Sequence, residues 1–410
     1  MQRMFRVCAG IDVHKKMLTV CRLRVEWGAE VAKEIRTFGT TTRELLALLD
    51  WLVAEGCESV ALESTGVYWK PVFNLLEAAV PVVLVNAQHI KALPGRKTDV
   101  QDCEWIAELH LHGLVRASFI PPREIRELRD LVRTRTKLIA ERSQHANRIQ
   151  KVLEDANLKL SSVASDVVGA SGRAMLDRLI AGQTDPQTLA DLARGRLRSK
   201  RPQLREALTG RVRPHHRLLL RTHLTLMDQL DAAIAALTEE IEERMRPFAE
   251  IRERLDAVTG IGREVATVYL SEMGADVSAW PSYQHAASWA GLCPGHHESA
   301  GRHRSGRTRK GNRWIRKAFV QAALCTQRAH GTYMQAHYRR LRARRGPKKA
   351  AVAVAHSLFV RCFVLVETGQ QYRELGANYF DEHRQEAIAK RLVGRLKELG
   401  YEVSVTTNAA

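Results

Sequence analysis

Apolar positions along the chain follow two rhythms, and the change from one to the other marks out the elements. Residues 6–13 (Arg-Val-Cys-Ala-Gly-Ile-Asp-Val) are almost continuously apolar, the mark of a buried strand. A second strand is predicted at 17–25, after a tight turn holding His14 and Lys15, and a third at 31–38. From Thr41 to Glu55 the spacing becomes helical, with Leu45, Leu46, Leu49 and Leu52 in register. Ser59–Glu63 reads as a strand, Tyr68–Ala79 as a helix and Pro81–Val85 as a strand. A further helix opens at Lys97-Thr98-Asp99-Val100-Gln101-Asp102 and runs to about His112. Three strands followed by alternating helices and strands form an α/β layer pattern.

Pro121-Pro122 marks a boundary. Arg123–Leu158 then reads as one long, highly charged helix with sparse apolar positions at Leu128, Leu131, Leu138, Ile149 and Val152. Its expected partner is Leu220–Met245, where Met227, Leu230, Ile234, Leu237 and Ile241 alternate spacings of three and four as a coiled-coil seam does. That seam either closes a hairpin within the chain or joins two copies; periodicity is the same for both. Between the two helices, 160–213 reads as an insertion with two short helical patches and a basic run, touching nucleic acid or solvent. Residues 255–366 form a third, mainly helical region, and 367–410 a tail whose segment Asp381–Leu399 is an amphipathic helix ended by Gly400, most simply a packing element. The expected domains are therefore 1–120, 121–254, 255–366 and 367–410.

Charge narrows the class of partner. The 410 residues carry a net charge of +19, which points to a polyanion. From Ser299 to Val366 there are seventeen Lys and Arg and no Asp or Glu, whereas a merely solvated face mixes both signs. Nucleic acid is the expected partner. No membrane span is expected, because Ala78–Val85 is short and Ala350–Val366 is interrupted by His356 and Arg361. The N-terminus shows no apolar signal core, and seven cysteines without a C-x-x-C pair read as reduced thiols of a cytosolic protein.

Candidate chemistry falls at two places. Asp99 and Asp102 share one helix face, although Thr98 with Gln101 also reads as a capping box and acidic residues suit a first turn. Asp12 and Glu63 end the first and fourth strands. In a ribonuclease-H-like fold, acids come from the ends of the first and fourth strands and from a later helix, so four positions agree with one architecture. Such hard oxygen ligands select Mg²⁺ or Mn²⁺ for phosphoryl transfer. Lys97 either balances the acids or contacts phosphate, and His14 either touches phosphate or, the favoured reading, simply sits in its turn. The second place is a glycine- and cation-rich loop after Ala290, holding Ser299, Arg302, Arg304, Arg307, Arg309 and Lys310 and leading into a helix near Asn312 with Arg313, Arg316 and Lys317. A serine hydroxyl there is a nucleophile once its alkoxide is favoured, with arginines steadying a pentacovalent phosphate; Ser305 is its rival. Gly260 and Gly262, in Thr259-Gly-Ile-Gly, either let a DNA backbone approach or merely join two helices. Cys293, His296, His297 and His303 lack the paired spacing of a zinc site.

Gly10-Ile11-Asp12-Val13-His14-Lys15, Glu63-Ser64-Thr65-Gly66-Val67-Tyr68 and Lys97-Thr98-Asp99-Val100-Gln101-Asp102 resemble the DEDD motifs of bacterial insertion-sequence transposases, the "IS one-ten" family. Thr259-Gly-Ile-Gly, Trp289-Ala-Gly-Leu-Cys-Pro, Glu298-Ser299 and Lys310-Gly311-Asn312 resemble that family's C-terminal domain, so the resemblance spans about 5–120 and 250–365. It implies a RuvC-like domain binding Mg²⁺ through Asp12, Glu63, Asp99 and Asp102, a coiled-coil connector, and a transposase domain in which Ser299 links transiently to a DNA phosphate. It further implies donor and target DNA, a structured noncoding guide RNA, a dimer or tetramer in which the serine of one copy meets the metal site of another, and a bacterial cytoplasm. The family commonly has glycine after the serine; this chain has Ala300 and then Gly301. The alternative activity is a RuvC-like endonuclease using metal-activated water, with Ser299 only a phosphate contact. A non-catalytic nucleic-acid scaffold is the remaining alternative.

Overall fold

The computed structural model describes residues 3–25, 30–64, 66–86, 99–295, 298–303, 305–383 and 385–405. It divides into two compact units, Met1–Ile120 and Pro121–Ala410.

The first unit is built on one mixed sheet. Strands β1 (Val7–Val13), β2 (Met17–Val25) and β3 (Val31–Gly39) form an antiparallel meander, β4 (Ser59–Glu63) and β5 (Val82–Val85) add in parallel, and the order is β3-β2-β1-β4-β5. The near-continuous apolar runs of β1 and β4 follow from their central place, since helices cover both faces. On one face Ile11, Val13, Leu18, Val20, Val60 and Leu62 pack with α1 (Thr42–Ala54) and α2 (Trp69–Leu76). On the other, Cys8, Cys21 and Leu23 pack with Cys103, Ala107 and Leu111 of α3 (Asp99–Leu111). Gly10 makes this second contact possible: a Cβ there would lie 2.4 Å from the Ala107 nitrogen and 2.5 Å from the Cys103 carbonyl oxygen. The helix therefore rests directly on the β1 backbone.

His110 of α3 is 2 % exposed, with Nε2 2.9 Å from Ser59 Oγ on β4. Burial pushes its pKa down to about 4. The neutral ring contributes stability in full above about pH 6.5, and that contribution is lost as pH falls through 4. The loss should amount to about 3 kcal/mol, most of it by pH 4.5. Urea unfolding of wild type and His110→Asn at pH 7 and 4.5 checks it: the wild type should lose more stability by that difference, and parallel losses would refute the assignment.

In the second unit, two long helices, α4 (Arg123–Asp155) and α9 (Pro214–Arg244), run antiparallel within one chain. Pairings along their length fix the direction: Arg244 with Glu127 at 2.9 Å, Arg135 with Thr238 at 2.8 Å, His145 with His223 at 3.2 Å and Asp155 with His216 at 2.7 Å. The seam thus closes a hairpin. Leu220, Leu224, Met227 and Ile241 are buried, while Leu230, Ile234 and Leu237 are only half-buried.

The insertion is more ordered than its sequence suggested. It holds α5 (Leu160–Val163), α6 (Ala170–Ile180), α7 (Pro186–Asp191), a 3₁₀ turn (Gly195–Lys200) and α8 (Arg201–Ala207). These short helices share a core with the hairpin's far end through Ile149, Leu153, Met175, Leu176, Leu189, Leu204 and Leu220.

Helices α10 (Ala249–Asp256), α11 (Arg263–Met273), α12 (Tyr283–Trp289), α13 (Arg313–Cys325), α14 (Tyr333–Arg345) and α15 (Pro347–Thr368) pack around Tyr269, Phe319 and Phe359. By length and composition α15 is apolar enough to cross a membrane, but half of its apolar window is buried inside the protein, where Val354, Leu358, Phe359 and Phe363 form part of this core. The tail forms α16 (Tyr379–Glu382) and α17 (Gln385–Glu398). No residue of α17 is buried among the described residues, which do not show the packing role expected of that amphipathic segment. All seven cysteines are free.

Candidate active site

Parallel pairing of β1 with β4 matches Ile11 to Leu62, so Asp12 and Glu63 are the next residues along neighbouring strands. Side chains alternate along a strand, and the two carboxylates therefore emerge side by side on the α3 face. Both are buried, Asp12 at 4 % exposure and Glu63 at 9 %. Because Met4 pairs with Leu111 and Gly10 lies under Cys103 and Ala107, α3 runs antiparallel to β1 and brings its N-terminal turn to the same end of the sheet. That turn begins at Asp99, and Asp102, half-buried, lies in it. The Cys103 thiol registers the arrangement: burial first, then the nearby charges of Glu104 and Asp12, push it up to about 12. His14, in the β1–β2 turn, places Nε2 2.9 Å from Asp12 Oδ2. Lys97 lies outside the described residues.

Two buried carboxylates side by side repel one another, and a cation relieves that repulsion. Their oxygens are hard donors of the kind that hold a divalent ion. Asp12 and Glu63 are donors of this kind on adjoining strands, and the turn of Asp99 and Asp102 reaches the same end of the sheet.

Elsewhere among the described residues, Asp155, His215 and His216 bring three candidate ligand atoms within 4.8 Å of one another. Here a proton fits better than a metal. His216 Nδ1 accepts from the Arg213 backbone N–H at 3.1 Å, and Nε2 faces Asp155 at 2.7 Å. A ring with Nδ1 occupied as acceptor carries its neutral-form proton on Nε2, the atom a metal would need. The pair staples the two helices of the hairpin.

The serine loop is an arm with a clamped base. A Cβ on Gly311 would meet the Gly291 nitrogen at 2.4 Å and the Trp289 carbonyl oxygen at 2.5 Å, so only glycine lets the two backbones touch. Asn312 N–H donates to Trp289 O at 2.9 Å beside them. Further out, Pro294 bridges Thr308 and Gly295 N–H donates to Arg307 O at 2.8 Å. At the tip, β6 (Glu298–Ser299) pairs with β7 (Arg302–His303), matching Ser299 to Arg302. Ala300 and Gly301 form the turn with φ of 51° and 71°, as a two-residue type I′ hairpin requires. Ser299 is thus the last residue before the turn. Ser305 lies in the stem, its Oγ accepting from the Arg307 N–H at 3.2 Å. Arg302, Arg307, Arg309, Lys310, Arg313 and Lys317 are exposed, and Arg316 is half-buried. Arg304, His296 and His297 lie outside the described residues.

An alanine at φ 51° is strained by about 1–2 kcal/mol. Ala300→Gly should therefore stabilise the tip, by under about 1 kcal/mol after the extra freedom of unfolded glycine is counted. Slower amide exchange across 298–303 would show it; faster exchange would speak against the turn.

Gly260, with φ 94°, is needed for packing, since a Cβ would lie 2.6 Å from Thr326 Cγ2. Gly262 caps α11 with open space where its Cβ would be, leaving backbone that a phosphate can approach.

Glu272, unremarkable in the sequence, is a buried acid that joins three elements of this unit. It is 1 % exposed on α11 and receives Arg133 in a two-pronged pair at 2.6 and 2.7 Å. Arg129 Nε lies 3.2 Å from Oε2, and Asn312 Nδ2 donates to that same oxygen at 2.7 Å. Burial lowers the Arg129 pKa to about 10, so it stays charged at neutral pH.

A family model described as "Transposase", of the DEDD type, matches residues 9–158, and one described as "Transposase IS116/IS110/IS902 family" matches 252–339. Together they cover more than half of the chain. A curated relative, the "Probable family 20 transposase" of Pseudomonas aeruginosa, is 27 % identical over 304 residues, covering 72 % of this chain and 80 % of its own. The solved structure of Thermus thermophilus RuvC is 17 % identical and covers 27 % of this chain and 99 % of its own at a TM-score of 0.22. With both halves of the family's pattern matched in order along one chain, this protein belongs to the IS110 family of DEDD transposases, enzymes that act on DNA.

Proposed function

We propose that the chain is the recombinase of an insertion sequence, exchanging DNA strands through a covalent serine intermediate. In this reading residues 1–120 are a RuvC-like nuclease domain, with Asp12, Glu63, Asp99 and Asp102 binding Mg²⁺ (or Mn²⁺). Residues 121–254 are the connector, a coiled-coil-like hairpin, and 255–366 carry the serine. Support comes above all from the position of Ser299, at the tip of a cationic arm whose base is held by two touching glycines. Contact with a phosphate alone would not require a serine at the end of such an arm.

Bound Mg²⁺ would supply a Lewis acid for a phosphate oxygen and favour the serine alkoxide. Ser299 Oγ, having given up its proton, attacks phosphorus as the bond to one ribose oxygen breaks, and that oxygen leaves as a hydroxyl once protonated. The arm's arginines hold the charge of the pentacovalent state. A phosphoserine link keeps the energy of the broken bond, and a hydroxyl from another strand reverses the step, so no nucleotide hydrolysis is needed. The substrates are donor and target DNA, selected by a structured noncoding RNA that shares the basic surface, in a dimer or tetramer.

The test is to quench the full-length protein with DNA carrying its own gene and flanking sequence, digest it, and map any protein–DNA adduct. An adduct on Ser299 is expected. Strand cleavage without a covalent adduct would overturn the proposal in favour of metal-activated water.

A further inference from the structure

Three links between distant parts of the second unit meet at one carboxylate. Glu272 sits on α11, Arg129 and Arg133 on the hairpin helix α4, and Asn312 at the exit of the serine arm. Asn312 is used to the full. Its backbone N–H binds Trp289 O at 2.9 Å, its Oδ1 accepts from the amides of Trp314 at 2.9 Å and Ile315 at 3.2 Å, and its Nδ2 donates to Glu272. The same residue therefore caps α13, closes the arm's base and ties it to a buried ion cluster. We infer that Glu272 is a positioning residue for the transposase reaction, fixing the direction of the Ser299 arm through Asn312 while its ion pairs hold the arm's root to the hairpin. This rests on the reading of Ser299 as nucleophile.

Physical chemistry favours the role. A carboxylate that receives a two-pronged arginine is fixed in plane and rotation. Its Oε2, already accepting from Arg133, keeps a lone pair for a further donor, and Asn312 Nδ2 takes it at 2.7 Å. Rotating the arm about its base breaks a hydrogen bond to a charged, dry acceptor, the sort most costly to leave unmade. A reacting hydroxyl displaced by about 1 Å loses on the order of a hundredfold in rate, so holding the root matters at the tip. The cluster also ties the arm to a helix that belongs to the hairpin, by Arg133 at 2.6 Å.

The test is a swap. Asn312→Asp keeps an oxygen to cap α13, because aspartate and asparagine cap equally well, but it turns a second carboxylate toward Glu272. The double variant Glu272→Gln/Asn312→Asp inverts the hydrogen bond: the amide introduced on α11 donates to the carboxylate introduced at the cap, and one carboxylate remains among the arginines. Two readouts on the full chain are needed: amide exchange of 298–309 without DNA, and cleavage plus adduct formation on the plasmid carrying its gene and flanks. For Asn312→Asp we expect exchange about tenfold faster and cleavage slower by about ten- to a hundredfold, with DNA affinity within about twofold. The double variant should recover most of both. Wild-type exchange and cleavage in Asn312→Asp, or a double variant that restores neither, would overturn the inference. If instead the wild type cleaves without a Ser299 adduct, the nucleophile assignment fails while the exchange result still reports on the arm.

Discussion

Ser299→Ala is expected to abolish the covalent protein–DNA adduct and to slow strand exchange by about a thousandfold or more, the scale of losing a nucleophile outright. DNA binding should change little, because the arm's exposed cations remain and phosphate contacts supply most of the affinity. Position 299 is held by its backbone pairing with 302 next to the turn, and losing the hydroxyl leaves that pairing in place. Ser305→Ala is the control. Its hydroxyl accepts from a backbone amide two residues on, a local turn worth under about 1 kcal/mol, and the variant should keep most activity. Quantitative cleavage by both variants would identify the protein as a water-using endonuclease; loss in Ser305→Ala alone would move the nucleophile into the stem.

Asp12→Asn is expected to remove cleavage by a comparable factor, and to do so with a separate physical signature. An ion held by several carboxylates stabilises the folded protein according to its affinity, by about 2.7 kcal/mol at a hundred times its dissociation constant. Wild type should therefore melt at a higher temperature as Mg²⁺ is added. In Asp12→Asn one charge of the set is gone, and that rise should largely disappear. Without added metal the variant should be no less stable than wild type, since neutralising one of two adjacent buried acids relieves their repulsion. A variant that loses activity yet keeps the full Mg²⁺ response would show that the ion is held elsewhere. A variant that keeps both would favour a scaffold.

The elements of the first unit were legible because its central strands are buried on both faces. Such strands write themselves as unbroken apolar runs, and an acid at the end of one, as at Asp12 or Glu63, stands out against it. The seam of α9 and its partner helix were equally plain, but whether they meet within one chain was not, and only the pairings of Arg135 with Thr238 and His216 with Asp155 decide it. The insertion hid its order because helices of four to eleven residues are too short to show a period. Glu272 gave no signal at all. Its partners Arg129, Arg133 and Asn312 lie up to 143 residues away and read locally as ordinary surface charges and a helix cap. The glycines at 291 and 311 looked like loop composition; that they touch is a property of two chain segments brought together.

By itself the sequence determined the elements, the acidic strand ends, the basic serine loop and the family they resemble, because period, capping and composition act between near neighbours. The tertiary structure alone decided that Asp12 and Glu63 share a face, that the loop is an arm with Ser299 beside its turn, and that a buried glutamate holds its root. Strand register, backbone contact and buried charge pairing arise between residues far apart in the chain, and their energies exist only once folding has brought them together.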